Sequence, residues 1–132
     1  MTKYMSHLRE SVNYSSIVWH DSKSLPGVRY ATRRISLMQR IELTSKVREI
    51  VLQHEFFKAG DVSEQLEVSL GELLVRKLYI EWGLDQIQGF TIDGEEATME
   101  SIIEKGPEEL TDEIAASIRT QLELSLEERK NS

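Results

Sequence analysis

Residues 73–94, LLVRKLYIEWGLDQIQGFTIDG, hold the reading that decides the fold. Turned at about 100° per residue, Leu74, Val75, Leu78, Tyr79 and Trp82 fall in one broad arc, and the pairs Glu72/Arg76 and Lys77/Glu81 flank it as polar stripes. That spacing predicts a core helix. Gly83 offers the left-handed position on which helices commonly stop, Phe90-Thr91-Ile92 alternates as a strand does, and Asp93-Gly94 is a tight-turn dipeptide. The stretch therefore predicts a helix that runs into a short strand and turn near residues 89–94. None of it is chemically reactive in an obvious way, so it speaks for shape first.

Toward the C-terminus, Thr98 is placed to cap a short helix through Ile102 and Ile103 that ends at Lys105-Gly106. Pro107 suits the first position of a final long helix, and Glu108 and Glu109 lie where the positive helix end favours carboxylates. Leu110, Ile114, Ile118 and Leu122 give that helix its apolar stripe. Ser125-Leu126-Glu127-Glu128 repeats a capping-box pattern, which predicts one more turn in the tail.

Toward the N-terminus, Ser36-Leu37-Met38-Gln39 is a capping box, and a helix follows with Leu43, Val47, Ile50, His54 and Phe57 as its buried stripe and Gly60 as its stop. Asp61 or Ser63 caps the next helix, which carries Leu66, Leu70 and Leu73 into the central stretch; Gly71 within it costs about 1 kcal/mol against Ala, or marks a close crossing. Ser15 to His20 and Val28 to Ile35 read as two strands joined through the Pro26-Gly27 loop. In the second strand Val28, Tyr30, Thr32 and Arg34 share one face; Arg29, Ala31, Arg33 and Ile35 share the other. The expected class is mainly α (α+β): a small helical domain over residues 14–132 with an N-terminal β-hairpin, preceded by a flexible or docking arm, residues 1–13.

With 132 residues, 39% hydrophobic and 30% charged, the chain has the size and balance of one globular domain. It has no cysteine, which excludes disulfides and thiolate metal sites. No apolar run approaches the length of a membrane span and the first ten residues lack the apolar stretch of a secretory signal, so the expectation is a cytoplasmic protein. Charge is split along the chain. Residues 1–48 hold nine Lys/Arg against three Asp/Glu, net +6, whereas residues 49–132 hold seven against twenty, net −13. A basic N-terminal part can meet an acidic partner, another copy's acidic part, or its own C-terminal part.

Catalytic and cofactor chemistry finds little to stand on. His7, His20 and His54 lack metal-binding spacing, and His20 and Asp21, as neighbours on a strand, point to opposite faces. There is no nucleophile elbow and no phosphate-binding glycine loop. The acids Asp93, Glu95, Glu96 and Glu100 lack the calcium-loop spacing and read as a solvated turn before a helix. The expectation is no enzyme, no cofactor and no metal. Arg29, Arg33, Arg34 and Arg40 are the one basic cluster available to nucleic acid, but only Tyr30 supplies aromatic interleaving and the chain is acidic, which argues against it. What remains is protein binding. Trp19, Arg29, Tyr30 and Arg33 are the residue types enriched where proteins meet; Trp19 and Tyr30 equally suit covering the helices, and the sequence leaves both readings open.

The runs Tyr79-Ile80-Glu81-Trp82-Gly83-Leu84, Gly89-Phe90-Thr91-Ile92-Asp93-Gly94-Glu95-Glu96-Ala97-Thr98, Gly106-Pro107-Glu108-Glu109-Leu110 with Glu113-Ile114, and Leu126-Glu127-Glu128-Arg129-Lys130-Asn131 resemble the tail assembly chaperones of tailed phages and prophages. The likeness covers residues 79–131, and more weakly Arg29 to Arg48. It implies a small acidic, mostly helical, non-enzymatic protein of the host cytoplasm that self-associates and binds apolar helical segments of the tape-measure protein. The apolar density at Leu78, Trp82 and Phe90 is the expected place for that groove. The competing expectations are a structural tail or neck component of the virion and a small nucleic-acid-binding regulator.

Overall fold

The structure, a computed structural model, describes residues 11–55 and 62–130. The first ten residues of the expected arm, 1–13, and Phe57, Gly60 and Asp61 lie outside the described residues. Strands β1 (Ile17–Asp21) and β2 (Arg29–Arg33) lead into α1 (Leu37–Glu55) and α2 (Val62–Gly83). Strand β3 (Leu84–Gln88), the small hairpin β4 (Thr91–Ile92) and β5 (Glu95–Glu96), and helices α3 (Met99–Lys105) and α4 (Glu108–Lys130) complete the order. This is an α+β fold in which helices predominate.

The N-terminal hairpin forms within the chain, antiparallel, with Trp19 opposite Ala31 and His20 opposite Tyr30. A third strand joins it that the periodicity did not disclose. Strand β3 follows directly on α2 and pairs antiparallel with β2, so the sheet order is β1-β2-β3. Its sequence, LDQIQ, offers only Leu84 and Ile87 as apolar residues, with polar positions between. β2 is central. Tyr30, Ala31 and Thr32 are accordingly all buried, while Arg29 and Arg33 at its ends stay exposed.

Gly83 differs from the expectation in its reason. It has no left-handed φ; it is the last residue of α2, and a Cβ there would stand 2.4 Å from Ile118 Cδ1. Glycine is present because α4 crosses that close. The left-handed positions fall later, at Gly89 (φ 77°), Asp93 (φ 53°) and Gly94 (φ 84°). Positive φ at both Asp93 and Gly94 is the signature of a type I′ turn, which matches the twist of β4 and β5.

Capping behaves as the sequence predicts at two helix starts. Gln39 N donates to Ser36 Oγ and Ser36 N to Gln39 Oε1, both at 3.2 Å. Thr98 Oγ1 accepts from Ser101 N at 3.1 Å, and Ser101 Oγ accepts from Thr98 N at 2.8 Å. Pro107 stands one position earlier than expected, just before α4, where its carbonyl accepts from Leu110 N and Thr111 N at 3.1 Å; Leu110, Ile114, Ile118 and Leu122 of that helix are at most 7% exposed. Each such side chain contributes about 2 kcal/mol when removed from water. They meet Tyr30 from the sheet, Leu43 from α1 and Ile80 from α2 in one core. The further tail turn at Ser125 to Glu128 is no new element: the α4 backbone runs through it unbroken to Lys130.

The helical pair α1 and α2 packs differently from the rest. Gly71 lets α1 come so near that an added Cβ would meet His54 Cβ at 2.7 Å, and His54 Nδ1 lies 2.7 Å from Glu67 Oε1. His54 is thus a buried, hydrogen-bonded helix contact. Leu66, Leu70 and Leu73 do run into the central stretch as one helix, and they are 45–65% exposed.

Candidate functional site

Three regions of the fold concentrate chemistry or exposed apolar surface: the inner face of the sheet, its outer face, and the outer flanks of α1 and α2.

On the inner face, α4 presents Glu113 one residue before the apolar Ile114. Glu113 accepts hydrogen bonds from Ser22 Oγ (3.0 Å), Lys23 N (3.1 Å), Ser24 N (3.0 Å), Ser24 Oγ (2.7 Å) and Tyr30 Oη (3.2 Å). Burial raises its pKa, but the bonds from Ser24, Lys23 and Ser22 outweigh that and hold the carboxyl down at about 2. Tyr30 is pushed up by burial, and its hydroxyl also lies 2.9 Å from Ser117 Oγ. His20 stacks on Tyr30 with ring centroids 5.0 Å apart, puts Nε2 2.9 Å from Thr32 Oγ1, and is lowered by burial against the pull of Glu113. Gln121 Nε2 donates to the same Thr32 hydroxyl at 3.2 Å. These groups are turned on one another. A carboxylate held near 2 is a weak base, and its oxygens are occupied by the loop, so the cluster works as a clasp between the β1–β2 loop and α4. No chemical step is assigned to it.

Of the residues singled out from the sequence, Trp19 and Arg29 lie together on the outer face, while Arg33, at the end of β2, borders a crevice with Ile35, Leu43, Trp82 and Ile118. Arg29 stacks over Trp19 with its guanidinium carbon 5.0 Å from the ring centroid, and also pairs with Asp21 at 3.2 Å. Arg33 pairs with Asp85 at 3.4 Å. Tyr30 is corrected: it is 1% exposed on the opposite, inner face, and so belongs to the core and not to a partner surface. Alternation along a strand separates it from its arginine neighbours. Arg34 is engaged as well, donating to Ser15 O at 2.8 Å and lying over Tyr14. The basic cluster is therefore largely satisfied within the chain, which reduces what a phosphate backbone would gain from it.

Leu78 and Trp82 share one face of α2, and with Phe90 they are half-buried against the core. A cavity of about 450 Å³ opens elsewhere, lined by Val51 and His54 of α1, by Val68, Gly71, Val75 and Tyr79 of α2, and by Ala115, Ala116 and Arg119 of α4. Arg76 crosses its rim to Asp112 at 3.4 Å.

The exposed aliphatics are concentrated on α1 and the first half of α2. Leu37 (68%), Met38 (63%), Ile41 (53%) and Leu52 (60%) lie within roughly 100° of arc on α1, on the side opposite its buried Leu43 and His54. Val62 (70%), Leu66 (65%), Leu70 (45%) and Leu73 (50%) lie within roughly 80° on α2. Scattered aliphatics are normal on a surface; eight on two adjoining helices are not. Sequence reasoning passed over the α1 residues because its helix already had one apolar stripe. A second apolar arc at 37, 38, 41 and 52 is the signal that was there to find.

Among the described residues no three His, Asp or Glu side chains converge as a metal site, and no helix is long and apolar enough to cross a membrane. Comparisons with family models, characterised proteins and solved structures returned no match.

Proposed function

We propose that this protein is a non-enzymatic binding module that covers an apolar helical segment of another polypeptide, acting as a tail assembly chaperone does on a tape-measure protein. The observation that carries the reading is the aliphatic outer flank of α1, where Leu37, Met38, Ile41 and Leu52 stay in water although the same helix already buries Leu43. An amphipathic helix laid along such a flank would remove both apolar faces from water, the helix-in-groove mode of recognition. The likeness of residues 79–131 to tail assembly chaperones supplies the identity of the client, and the flank supplies the means. The reading puts the surface on α1, whose aliphatics are exposed, ahead of the expected place at Leu78, Trp82 and Phe90, which are partly buried against the core.

The deciding experiment is a pull-down of the full chain from phage-infected or prophage-induced cells. Recovery of a tape-measure protein supports the reading. Recovery of nucleic acid, lost steeply as salt rises, would replace it. Presence of the chain in purified virions would make the contact permanent and the protein a tail or neck component.

A further inference from the structure

We propose that the cavity between α1, α2 and α4 binds a small amphipathic carboxylate, its apolar body among the aliphatic lining and its carboxylate accepting hydrogen bonds from the Tyr79 hydroxyl and the Arg76 guanidinium. The site is separate from the α1 flank and does not depend on what that flank covers.

Small side chains make the room. Into the core α4 packs Ile114 and Ile118, but on the cavity it presents Ala115 and Ala116, and α2 contributes Gly71. Val51, Val68 and Val75 complete an apolar wall. At about 450 Å³ the volume lies within the ~300–1,000 Å³ of small-molecule sites, in which a few polar groups on an apolar lining orient the ligand.

Tyr79 points to a polar ligand atom. It lines the cavity and is 7% exposed, yet its hydroxyl exchanges no hydrogen bond with any described residue. Tyr30, the other buried tyrosine, is bonded to both Glu113 and Ser117. A buried phenol ordinarily has such a partner. Burial raises the Tyr79 pKa, against the pull of Arg119 and with the help of Glu123, so near neutral pH the group keeps its proton and can donate it to an acceptor.

The charge set deepest on the lining is positive. Arg76, one turn before Tyr79 on α2, has a side chain 29% exposed, whereas the acids that pair with it, Glu108 and Asp112, are 83% and 70% exposed. They stand 3.7 and 3.4 Å from it, longer than the ~2.7–2.9 Å of a close charge-assisted bond. Arg119, also on the lining, meets Glu123 at 3.6 Å. Of the other ionisable groups there, His54 is bonded to Glu67 at 2.7 Å and Glu72 is exposed. A carboxylate suits a phenol and a guanidinium one turn apart; an ammonium would meet the arginine as a like charge.

Hexanoate is the probe, titrated to about 50 mM at constant ionic strength into the isotope-labelled full chain and followed by backbone amide shifts, with hexanol and hexylammonium as probes of equal chain length. For about eight non-hydrogen atoms a dissociation constant on the order of 10 mM is expected. Hexanoate should give saturable shifts in the cavity segments of α2 and α4 and bind several-fold more tightly than the other two. Tyr79→Phe keeps the ring and removes the donor, so it should weaken hexanoate several-fold and leave hexanol unchanged. Ala116→Leu, at a half-buried position, fills the cavity and should weaken both. Circular dichroism establishes that each variant is folded, and either variant decides alone. No saturable shift, hexanol binding as tightly as hexanoate, hexanoate binding unchanged in the folded variants, or shifts confined to the exposed flank of α1 would each overturn the proposal.

Discussion

Ser24 Oγ donates a 2.7 Å hydrogen bond to Glu113 Oε1 across 89 residues of sequence. With the Ser22 hydroxyl and the Lys23 and Ser24 amides on the same carboxylate, that bond ties the β1–β2 loop to α4. Together with the Tyr30–Ser117 and Gln121–Thr32 bonds, it fixes the sheet and its loop against the C-terminal helix.

Glu113→Gln removes the charge from this clasp while keeping its shape, and we expect a loss of about 2 kcal/mol from replacing charge-assisted bonds. Glu113→Ala should cost about 3 kcal/mol, because it also leaves half-buried donors without an acceptor. Urea denaturation followed by circular dichroism checks both, and an unchanged midpoint in Glu113→Ala would remove the clasp from the account.

Acid should find the same residue. The folded pKa of Glu113, about 2, lies below its ordinary 4.5, so the unfolded chain binds more protons between those values. Its contribution is fully present above about pH 4.5 and is lost as pH falls toward about 2, with a slope of up to ~1.4 kcal/mol per pH unit. Denaturation midpoints measured across that window should fall less steeply in Glu113→Gln than in the unmodified chain.

Gly83→Ala sets helix propensity against packing. Alanine favours a helix by about 1 kcal/mol, but the new Cβ would stand 2.4 Å from Ile118 Cδ1, and overpacking of this kind costs about 1–3 kcal/mol. We expect net destabilisation. Adding Ile118→Val removes the clashing Cδ1, so the double variant should recover part of the loss, a coupling that a thermal-unfolding cycle would measure.

These residues also show how far the sequence could be read. The α4 stripe, the Ser36 and Thr98 caps and the Asp93-Gly94 turn depend on neighbours within a few positions, and periodicity or turn chemistry discloses them. Strand β3 escaped because its short alternation was masked between a strong helix and a stronger turn. Gly83 was assigned the commoner role of glycine, since Ile118 lies 35 positions away and only packing brings it near. The clasp was invisible for the same reason: nothing local in Asp21-Ser22-Lys23-Ser24 names Glu113 as its acceptor. Among the site residues, strand alternation foretold that Tyr30 and its arginine neighbours would part, but not which face the helices would cover. The exposed flank of α1 was legible as a second apolar arc opposite the Leu43 stripe, but how far it stays in water depends on packing that no local pattern discloses.

The reading of the molecule as cover for an apolar helix is tested most directly by co-expressing a tape-measure protein with the full chain or with its I41E/L52E variant and measuring the client's soluble fraction. Both substitutions fall on exposed positions, so the variant should keep its fold while losing the aliphatic flank. The account predicts a soluble client with the unmodified chain and an aggregated one with I41E/L52E. A client equally soluble with both, or aggregated with both, would contradict it.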